Sequence, residues 1–496
     1  MSSLDLGFIQ VNQLCYRFIT LSQSSLDDND ERYLINLATE CLDLMDHYNA
    51  LHPSYKVLVT FLESKSIKKY NSEWIKKVQE VSDDIFLKGK QCLVDLESSI
   101  DLSNITTLEV LQKVKSTLIS LIIQTQYQDA LQILSDISSL LQFTSQPSDY
   151  QAVQNNAFIE YYFYQYITKL FSSAWSPDEQ DKLENFQRPG SAYFEFGNTR
   201  SQASSFKMLR DIVNRVSFYY NKNEFFLTSE GSSAPTTELK YYWIISWFHS
   251  TIAFKGGKFV DYVNDIDTIL ATPSINGLTP LTVLSELPVL KSNILVLLEI
   301  SMICTRPFKA LSLAEEKYDN VLGLLESTEG SLENQIYLDI LLPLAETKYK
   351  NAKILFSDEM FIKMFEGSIG YIVPLSVFKG SGSFLDYIRS IIDFKSFLVI
   401  ISVSKRIQRT KLLKILGYEN DDNNSQTFQK LLILIAALNL GELGIGFDYQ
   451  GDYFYNYESN LTEKALFEKL HNLSNNLEAE SIANIMKGVL LEKFFS

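Results

Sequence analysis

Apolar residues recur every three or four positions through most of this chain, and few residues interrupt that spacing. Leu34, Leu37, Ala38, Cys41 and Leu42 form one such run. A run of this kind places one apolar stripe along a helix, which has about 3.6 residues per turn. The 496 residues include only 11 Pro and 20 Gly but 32 Phe and 27 Tyr, so long helices with bulky packing faces are expected. The sequence predicts a mainly α-helical fold.

The first half of the chain is patterned as a stack of helical hairpins. Residues 74–96 hold apolar positions at helical spacing among charged residues and contain no Pro, which predicts a long, partly exposed helix. Residues 108–141 predict two antiparallel helices with a joint at 124–129. We predict a helical-repeat solenoid of the tetratricopeptide-like kind over residues 1–270, with a loop insertion at about 176–205 where turn-forming residues disrupt the spacing.

A second helical region follows a break at residues 272–288, where Pro and Gly interrupt the apolar spacing. Beyond the break the predicted helices are shorter and are separated at Pro307, Pro343 and Pro374. We place a domain boundary at this break and predict a second domain, a helical bundle with its own C-terminal subdomain, over residues 291–458.

The apolar period changes from 3.6 to 2 near residue 445. Two short predicted helices precede the change, Arg409–Leu416, which ends at Gly417, and Thr427–Asn439. Aromatic and aliphatic residues then alternate with polar or small ones on both sides of Gly451, which predicts a β-hairpin. Two helices followed by a hairpin are typical of a winged helix, which we place at about 402–458.

The last segment, 459–496, predicts one long amphipathic helix. Its apolar face has no later segment to cover it, which favours packing on other chains. We predict protein interfaces on this helix and on the hairpin. The predicted interface residues are Phe447, Tyr449, Tyr453, Tyr455, Leu466, Phe467, Leu470, Leu473, Leu477, Ile482, Ile485 and Val489.

Charge disfavours nucleic acid as a partner. The chain has 44 Lys+Arg and 60 Asp+Glu, which gives a net charge of −16 and repels a polyanion. The basic residues are concentrated at Lys405, Arg406, Arg409, Lys411 and Lys414, and this patch leaves RNA binding open as an alternative.

The sequence predicts an intracellular protein, cytoplasmic and nuclear, without a membrane segment. No secretory signal precedes the first helices, and the most apolar stretches, 294–304 and 397–401, fall short of the roughly 18 residues that span a bilayer. Four cysteines at positions 15, 41, 92 and 304 have no CxxC spacing, so we expect reduced thiols in the core.

The residues that commonly carry catalysis form no recognisable motif here. The four histidines, His47, His52, His249 and His471, make no HxH or HExxH set. Residues 255–258, Lys-Gly-Gly-Lys, lack the Walker spacing and predict a turn between helices. We therefore expect no catalytic, cofactor-binding or metal-binding residues, and we expect the aromatic run 161–166 to lie in the core.

The order of helical repeats, bundle, winged helix and terminal helix resembles the PCI-domain family. Trp74 opens a charged helix, Lys348-Tyr349-Lys350 is followed by Leu355, and Leu466-Phe467-Glu468-Lys469-Leu470 follows the winged helix. These motifs are most similar to the branch that contains the first subunit of the COP9 signalosome and its counterpart in the proteasome lid.

The resemblance implies a non-catalytic scaffold subunit of a COP9-signalosome-like complex that supports deneddylation of cullin ubiquitin ligases. The implied partners are other PCI-domain subunits and a metal-dependent isopeptidase subunit of the same complex, with cullin ligases beyond them. Two alternatives stay open: a subunit of the proteasome lid, and a subunit of an RNA-associated complex of translation initiation or mRNA export.

Overall fold

Helices account for nearly all the regular structure in the part of the chain that the structure describes. The computed structural model describes residues 5–22, 28–98, 107–140, 158–174, 210–214, 236–255, 257–274, 277–313, 318–326, 331–373, 384–418, 421–437 and 440–457. The prediction of a mainly helical fold is confirmed for these residues. The predicted insertion at 176–205 and the predicted terminal helix at 459–496 lie outside them.

The described helices of the first half precede the predicted break at 272–288. They are α1 (Phe8–Leu21), α2 (Asp28–Tyr48), α3 (Tyr55–Ser64), α4 (Ser72–Ser98), α5 (Thr107–Ile123), α6 (Tyr127–Leu140), α7 (Phe158–Ala174), α8 (Thr236–Lys255) and α9 (Phe259–Leu270). The predicted helix 74–96 and the predicted hairpin 108–141 correspond to α4 and to α5 with α6. The turn predicted at 255–258 falls between α8 and α9, and residue 256 lies outside the described residues.

The second half has shorter helices and the sheet. The helices are α10 (Pro280–Ser285), α11 (Pro288–Thr305), α12 (Asp319–Glu326), α13 (Leu332–Ile336), α14 (Glu359–Ile369), α15 (Phe384–Val403), α16 (Arg409–Ile415) and α17 (Asp421–Ala437). The strands are β1 (Arg406–Gln408), β2 (Ile445–Asp448) and β3 (Tyr453–Asn456), in the antiparallel order β1-β3-β2.

The predicted break at 272–288 contains the short helix α10. The Thr279 hydroxyl accepts a hydrogen bond from the Thr282 N–H at 3.2 Å, and the Thr279 N–H donates to the Thr282 hydroxyl at 3.0 Å. This reciprocal cap satisfies amides at the start of the helix, and Pro280 fits the first helical turn because its missing N–H has no helical partner there. The turn-forming residues therefore start a helix inside the break.

Pro343 does not separate two helices. The chain stays helical from α13 through a π-helical segment, Tyr337–Leu341, into a last turn, Leu342–Ala345. A π-helical turn shifts the hydrogen-bond pattern by one residue, which accommodates a proline that lacks an N–H. The expectation of a break at this proline is wrong for that reason.

Helix α1 joins the beginning of the chain to its second half. The Asn12 side chain donates to the carbonyl of Ile122 at 2.9 Å, and Gln13 accepts from Asn293 at 2.6 Å. The apolar core around α1 is continuous from Leu6 to Ile392. The division of the chain near 271–290 stays a prediction, but the two sides share this core.

The aromatic run 161–166 lies in the core, as predicted. Tyr161, Tyr162, Phe163, Tyr164 and Tyr166 are all buried. The Phe163 ring packs on Tyr241 of α8 at 4.5 Å between centroids. Because these rings face neighbouring helices on all sides, they fix the packing of α7 and offer no stacking surface to a ligand.

Helix α11 runs longer than the apolar stretch that the sequence delimits. It is the one helix among the described residues that is long and apolar enough to cross a bilayer, with a mean hydropathy of 1.5 over 18 residues, of which 78% are buried inside the protein. Its burial is that of a central core helix surrounded by other helices.

A carboxyl group lies inside this apolar helix. Glu299 is 2% exposed, and neither of its oxygens has a hydrogen-bond partner among the described residues. The buried Glu333 lies close enough to act on it and accepts a hydrogen bond from Ser292 at 2.7 Å. Burial raises the pKa of Glu299 well above its usual value, and the neighbouring charge of Glu333 raises it further.

Glu299→Gln is expected to stabilise the protein increasingly as the pH rises. The pKa of Glu299 is raised in the folded chain, so the folded chain holds this proton more tightly than the unfolded chain does. The parent protein therefore has its full stability below the ordinary pKa of glutamate and loses stability as the pH rises through the folded pKa, whereas Glu299→Gln does not. Urea unfolding at pH 5 and pH 8 measures the difference in unfolding free energy between the variant and the parent chain, which grows by up to about 1.4 kcal/mol per pH unit. The exposed Glu63→Gln is the control; an equal response of both variants would contradict the prediction.

Candidate interaction site

The sheet divides into an inner and an outer face because side chains alternate along a strand. Phe454 and Asn456 of β3 are buried and point inward. Phe454 packs on Phe397 of α15 at 5.2 Å, and Phe428 of α17 packs on Phe447 at 4.9 Å. The inner face thus forms a small apolar core with α15, α16 and α17.

The outer face of the sheet carries a row of tyrosines. Tyr453 and Tyr455 lie on the side of β3 opposite Phe454, and Tyr457 continues the alternation just beyond the strand. The Tyr455 and Tyr457 rings are 4.4 Å apart, and the Tyr453 and Tyr455 rings are 6.5 Å apart. We call Tyr453, Tyr455 and Tyr457 the tyrosine row.

Two glycines make room for this row. A Cβ at Gly446 would lie 2.4 Å from the Tyr455 hydroxyl oxygen, and a Cβ at Gly451 would lie 2.2 Å from the Tyr453 ring. Each ring therefore lies directly over the backbone of a glycine, and the side chain of any other residue there would occupy the space of the ring. The glycines hold the row flat against the sheet.

Charged groups frame the tyrosine row. The Arg406 guanidinium lies over the Tyr453 ring at 5.2 Å. Asp448 accepts hydrogen bonds from the Gln450 N–H and from the Tyr453 hydroxyl, and both lower the pKa of its carboxyl. The hydrogen bond between Tyr453 and Asp448 also raises the pKa of the Tyr453 hydroxyl. The row thus presents flat rings with an arginine at one side and a carboxylate at the other.

The structure separates the predicted hairpin interface residues into two groups. Tyr453 and Tyr455 stand on the outer face, and Tyr449 is 76% exposed at the turn. Phe447 points the other way and is partly buried against Phe428 and Phe454. Tyr457, 65% exposed, belongs to the row and was not among the predicted residues, although it continues the same alternation. The predicted positions on the terminal helix lie outside the described residues.

The basic patch has several separate environments. Arg409 pairs with Asp452 at 3.3 Å and lies over the Phe428 ring at 5.0 Å. Lys405, Lys411 and Lys414 are exposed. Part of the patch therefore stabilises the subdomain itself, and the rest faces solvent.

The histidines within the described residues are separate from one another. His47 contacts Asp5 at 2.7 Å near the surface, and His249 contacts the Tyr166 hydroxyl at 3.2 Å. Burial lowers the pKa of His249 to about 4, and the charge of Arg210 lowers it too. No group of three or more His, Cys, Asp or Glu side chains in the described part of the chain could hold a metal ion.

Comparison of the sequence with protein families and with curated proteins found no match. No protein-family model matches the chain. No curated protein matches its sequence. The tyrosine row and its surroundings are therefore the main basis for a functional proposal, together with the order of the elements.

Proposed function

We propose that this chain is a non-catalytic scaffold subunit of a COP9-signalosome-like PCI complex that supports deneddylation of cullin ubiquitin ligases. In this proposal the isopeptidase chemistry belongs to another subunit. The present chain supplies a helical body, a C-terminal subdomain that joins neighbouring PCI subunits, and a terminal helix that packs with theirs. The tyrosine row on the outer face of the sheet is the observation on which the proposal rests.

The order of elements in the C-terminal subdomain supports the proposal. Helix α15 leads into β1, the helices α16 and α17 follow, and the hairpin of β2 and β3 closes the sheet. A helix, a strand, two helices and a hairpin are the elements of a winged helix, with the hairpin as the wing. Gly417, at φ +85°, ends α16 in the left-handed conformation that such a short helix needs at its C-terminus.

The composition of the outer face also supports a protein interface. Aromatic residues and arginine are enriched at the centres of protein–protein interfaces, where they bury large areas at a low cost in conformational entropy. Tyr455, Tyr457 and Arg406 provide this combination on a flat surface of the sheet. Tyrosine also offers a hydroxyl to a partner, so such a surface stays soluble before assembly.

A charge introduced at an exposed end of the tyrosine row tests the proposal. Tyr457→Glu places a carboxylate at the interface, and Leu473→Asp does the same on the predicted apolar face of the terminal helix. Each is expected to lower the recovery of partner subunits by roughly tenfold or more, because a buried unpaired charge costs about 2 kcal/mol or more at an interface centre. Co-purification from the protein's own cells measures it.

Ile354→Glu is the matched control for this experiment. Ile354 is 65% exposed, as is Tyr457, and it lies outside the sheet. We expect this variant to retain its partners, and we expect all the variants to keep the melting temperature of the parent chain. Full partner recovery by both Tyr457→Glu and Leu473→Asp would contradict the proposed role.

RNA association is a second candidate because the subdomain has exposed rings and exposed cations. Tyr457 is exposed, Arg406 lies over the Tyr453 ring, and Lys411 and Lys414 of α16 face solvent. Single-stranded nucleic acids bind to aromatic rings flanked by cations. Retention of RNA that disappears in the Lys411→Glu, Lys414→Glu double variant and falls steeply with salt would favour this alternative.

A further inference from the structure

The chain between Asp393 and Glu419 carries only positive charges. Residues 394–418 contain six basic and no acidic side chains, although the whole chain has a net charge of −16. The six are Lys395, Lys405, Arg406, Arg409, Lys411 and Lys414. Because no carboxylate stands among them along the chain, they concentrate positive potential at the start of the C-terminal subdomain.

Lys411 and Lys414 stand on the exposed side of α16. The opposite side of the helix is buried in the small core under the sheet, through Leu412, Leu413 and Leu416. Both lysines are exposed, and neither makes an ion pair with a carboxylate of the described residues. They are three residues apart, so they lie one turn apart on the same face of the helix.

An aliphatic side chain lies beside these two lysines. Ile415 is 38% exposed, and it follows Lys411 by four residues, which places it on the same face of α16. Residues 409–418 contain one aromatic residue, Tyr418, and its side chain is buried. The exposed side of α16 therefore combines two ammonium groups with an aliphatic surface and has no exposed ring.

The helical body adds a third lysine to this surface. Gly417, just after α16, has φ +85°, and a Cβ at this position would lie 3.1 Å from Cγ and 3.4 Å from Cα of Lys350. The Gly417 N–H donates to the Lys414 carbonyl at 3.1 Å, so the exposed Lys350 lies beside the last turn of α16. We call Lys350, Lys411, Lys414 and Ile415 the junction face, because they span the junction of body and subdomain.

We propose that the junction face binds an acidic segment of a partner protein, in which two carboxylates pair with Lys411 and Lys414 and an aliphatic side chain covers Ile415. Glutamates three or four residues apart on a helix match the spacing of the two lysines. Charge complementarity sets the sign of the occupant. Because the whole chain is acidic, its net charge repels an acidic partner and its junction face attracts one, which directs binding to this face.

The junction face is less suited to a nucleic acid. Proteins hold single-stranded nucleic acid through many phosphate contacts and through aromatic rings on which the bases stack. On α16 the aliphatic Ile415 occupies the place beside the lysines where such a ring would stand. Helix α16 packs on the inner face of the sheet, whereas the tyrosine row lies on the outer face, so the acidic partner is independent of the proposed scaffold role.

Binding of a fluorescent peptide to the full chain tests the proposal. The probe is a short helical peptide with glutamates four residues apart and leucines beside them, and a second peptide has serine in place of each leucine. In fluorescence anisotropy we expect Lys411→Glu, Lys414→Glu to weaken binding of the leucine peptide by roughly tenfold, because two attractive charges become repulsive. Ile415→Ser is expected to weaken it several-fold, and the serine peptide is expected to bind less tightly than the leucine peptide.

Lys76→Glu, Lys77→Glu is the matched control, because it changes the net charge by the same amount on exposed positions of α4. We expect this variant to bind the leucine peptide as the parent chain does. Equal weakening in both double variants, or unchanged binding by Lys411→Glu, Lys414→Glu, would overturn the proposal. Tighter binding of a single-stranded RNA than of the leucine peptide would overturn it too and would make the junction face a nucleic-acid surface.

Lys411→Gln, Lys414→Gln keeps the test decisive if charge reversal unfolds the subdomain. This variant removes both charges and leaves the buried side of α16 unchanged, so we expect the melting temperature of the parent chain and peptide binding that is several-fold weaker. Unchanged binding at an unchanged melting temperature would contradict the proposal. Binding by the parent chain is also expected to weaken as salt rises, since exposed charges are screened.

Discussion

Replacing Lys353 with Met is expected to lower the free energy of unfolding by about 3–5 kcal/mol, because it leaves the buried carboxylate of Asp393 without its counter-charge. The Lys353 ammonium lies 2.6 Å from Asp393, and the two side chains are 5% and 10% exposed. The Tyr418 hydroxyl donates to the second oxygen of Asp393, and Lys353 lies over the Tyr418 ring at 4.2 Å.

This cluster connects the two apolar cores of the described chain. Asp393 is on α15, whose first part packs in the main core and whose end packs under the sheet. Lys353 comes from the helical body, and Tyr418 follows α16 of the subdomain. Burial lowers the pKa of Lys353 against the opposing effect of Asp393, and burial with the charge of Asp393 raises the pKa of Tyr418. The cluster therefore fixes the subdomain relative to the body.

Urea denaturation of matched variants measures this effect. Lys88→Met is the control, because its pair with Asp84 is 76% and 58% exposed and is worth at most about 1 kcal/mol. The double variant Lys353→Met, Asp393→Leu is expected to recover most of the loss, since it removes both buried charges together. A loss no larger than that of Lys88→Met would show that the buried pair contributes little.

Trp247→Ala is expected to destabilise the protein by about 3–5 kcal/mol, because it removes a large side chain from a closed part of the core. Trp247 on α8 is 1% exposed, and its Nε1 donates to the carbonyl of Pro280 at 3.1 Å. This contact holds the short helix α10 against α8.

Trp247→Phe separates the two parts of that contribution. It keeps an aromatic ring in the core but loses the hydrogen bond, so we expect a loss of about 1–3 kcal/mol. Chemical denaturation followed by circular dichroism gives both values. If Trp247→Ala lost no more stability than Trp247→Phe, the ring would contribute little to the packing of α8.

Helices were predictable because their signal is local. The spacing of apolar residues predicted α4, α5 and α6 nearly to their ends, and the change to a period of two predicted the hairpin. Strand β1 was missed because it has only three residues and owes its conformation to pairing with β3, far along the sequence. Helix α17 begins at Asp421, six residues before the predicted start at Thr427.

The candidate site was predictable in part for the same reason. Alternation along the hairpin identified Tyr453 and Tyr455, and strand geometry placed them on one face. The sequence could not show that Phe447 would turn toward Phe428, because that contact depends on how α17 packs on the sheet.

Identifying the partners of the chain tests the scaffold proposal most directly. The protein is tagged at its N-terminus, which leaves the terminal segment unmodified, purified from its own cells, and analysed with its co-purifying proteins by mass spectrometry. The proposal predicts several PCI-domain subunits together with a metal-dependent isopeptidase, and cullin-deneddylating activity in the purified material. Recovery of the chain alone, or with ribosomal initiation or mRNA-export proteins and no isopeptidase, would contradict it.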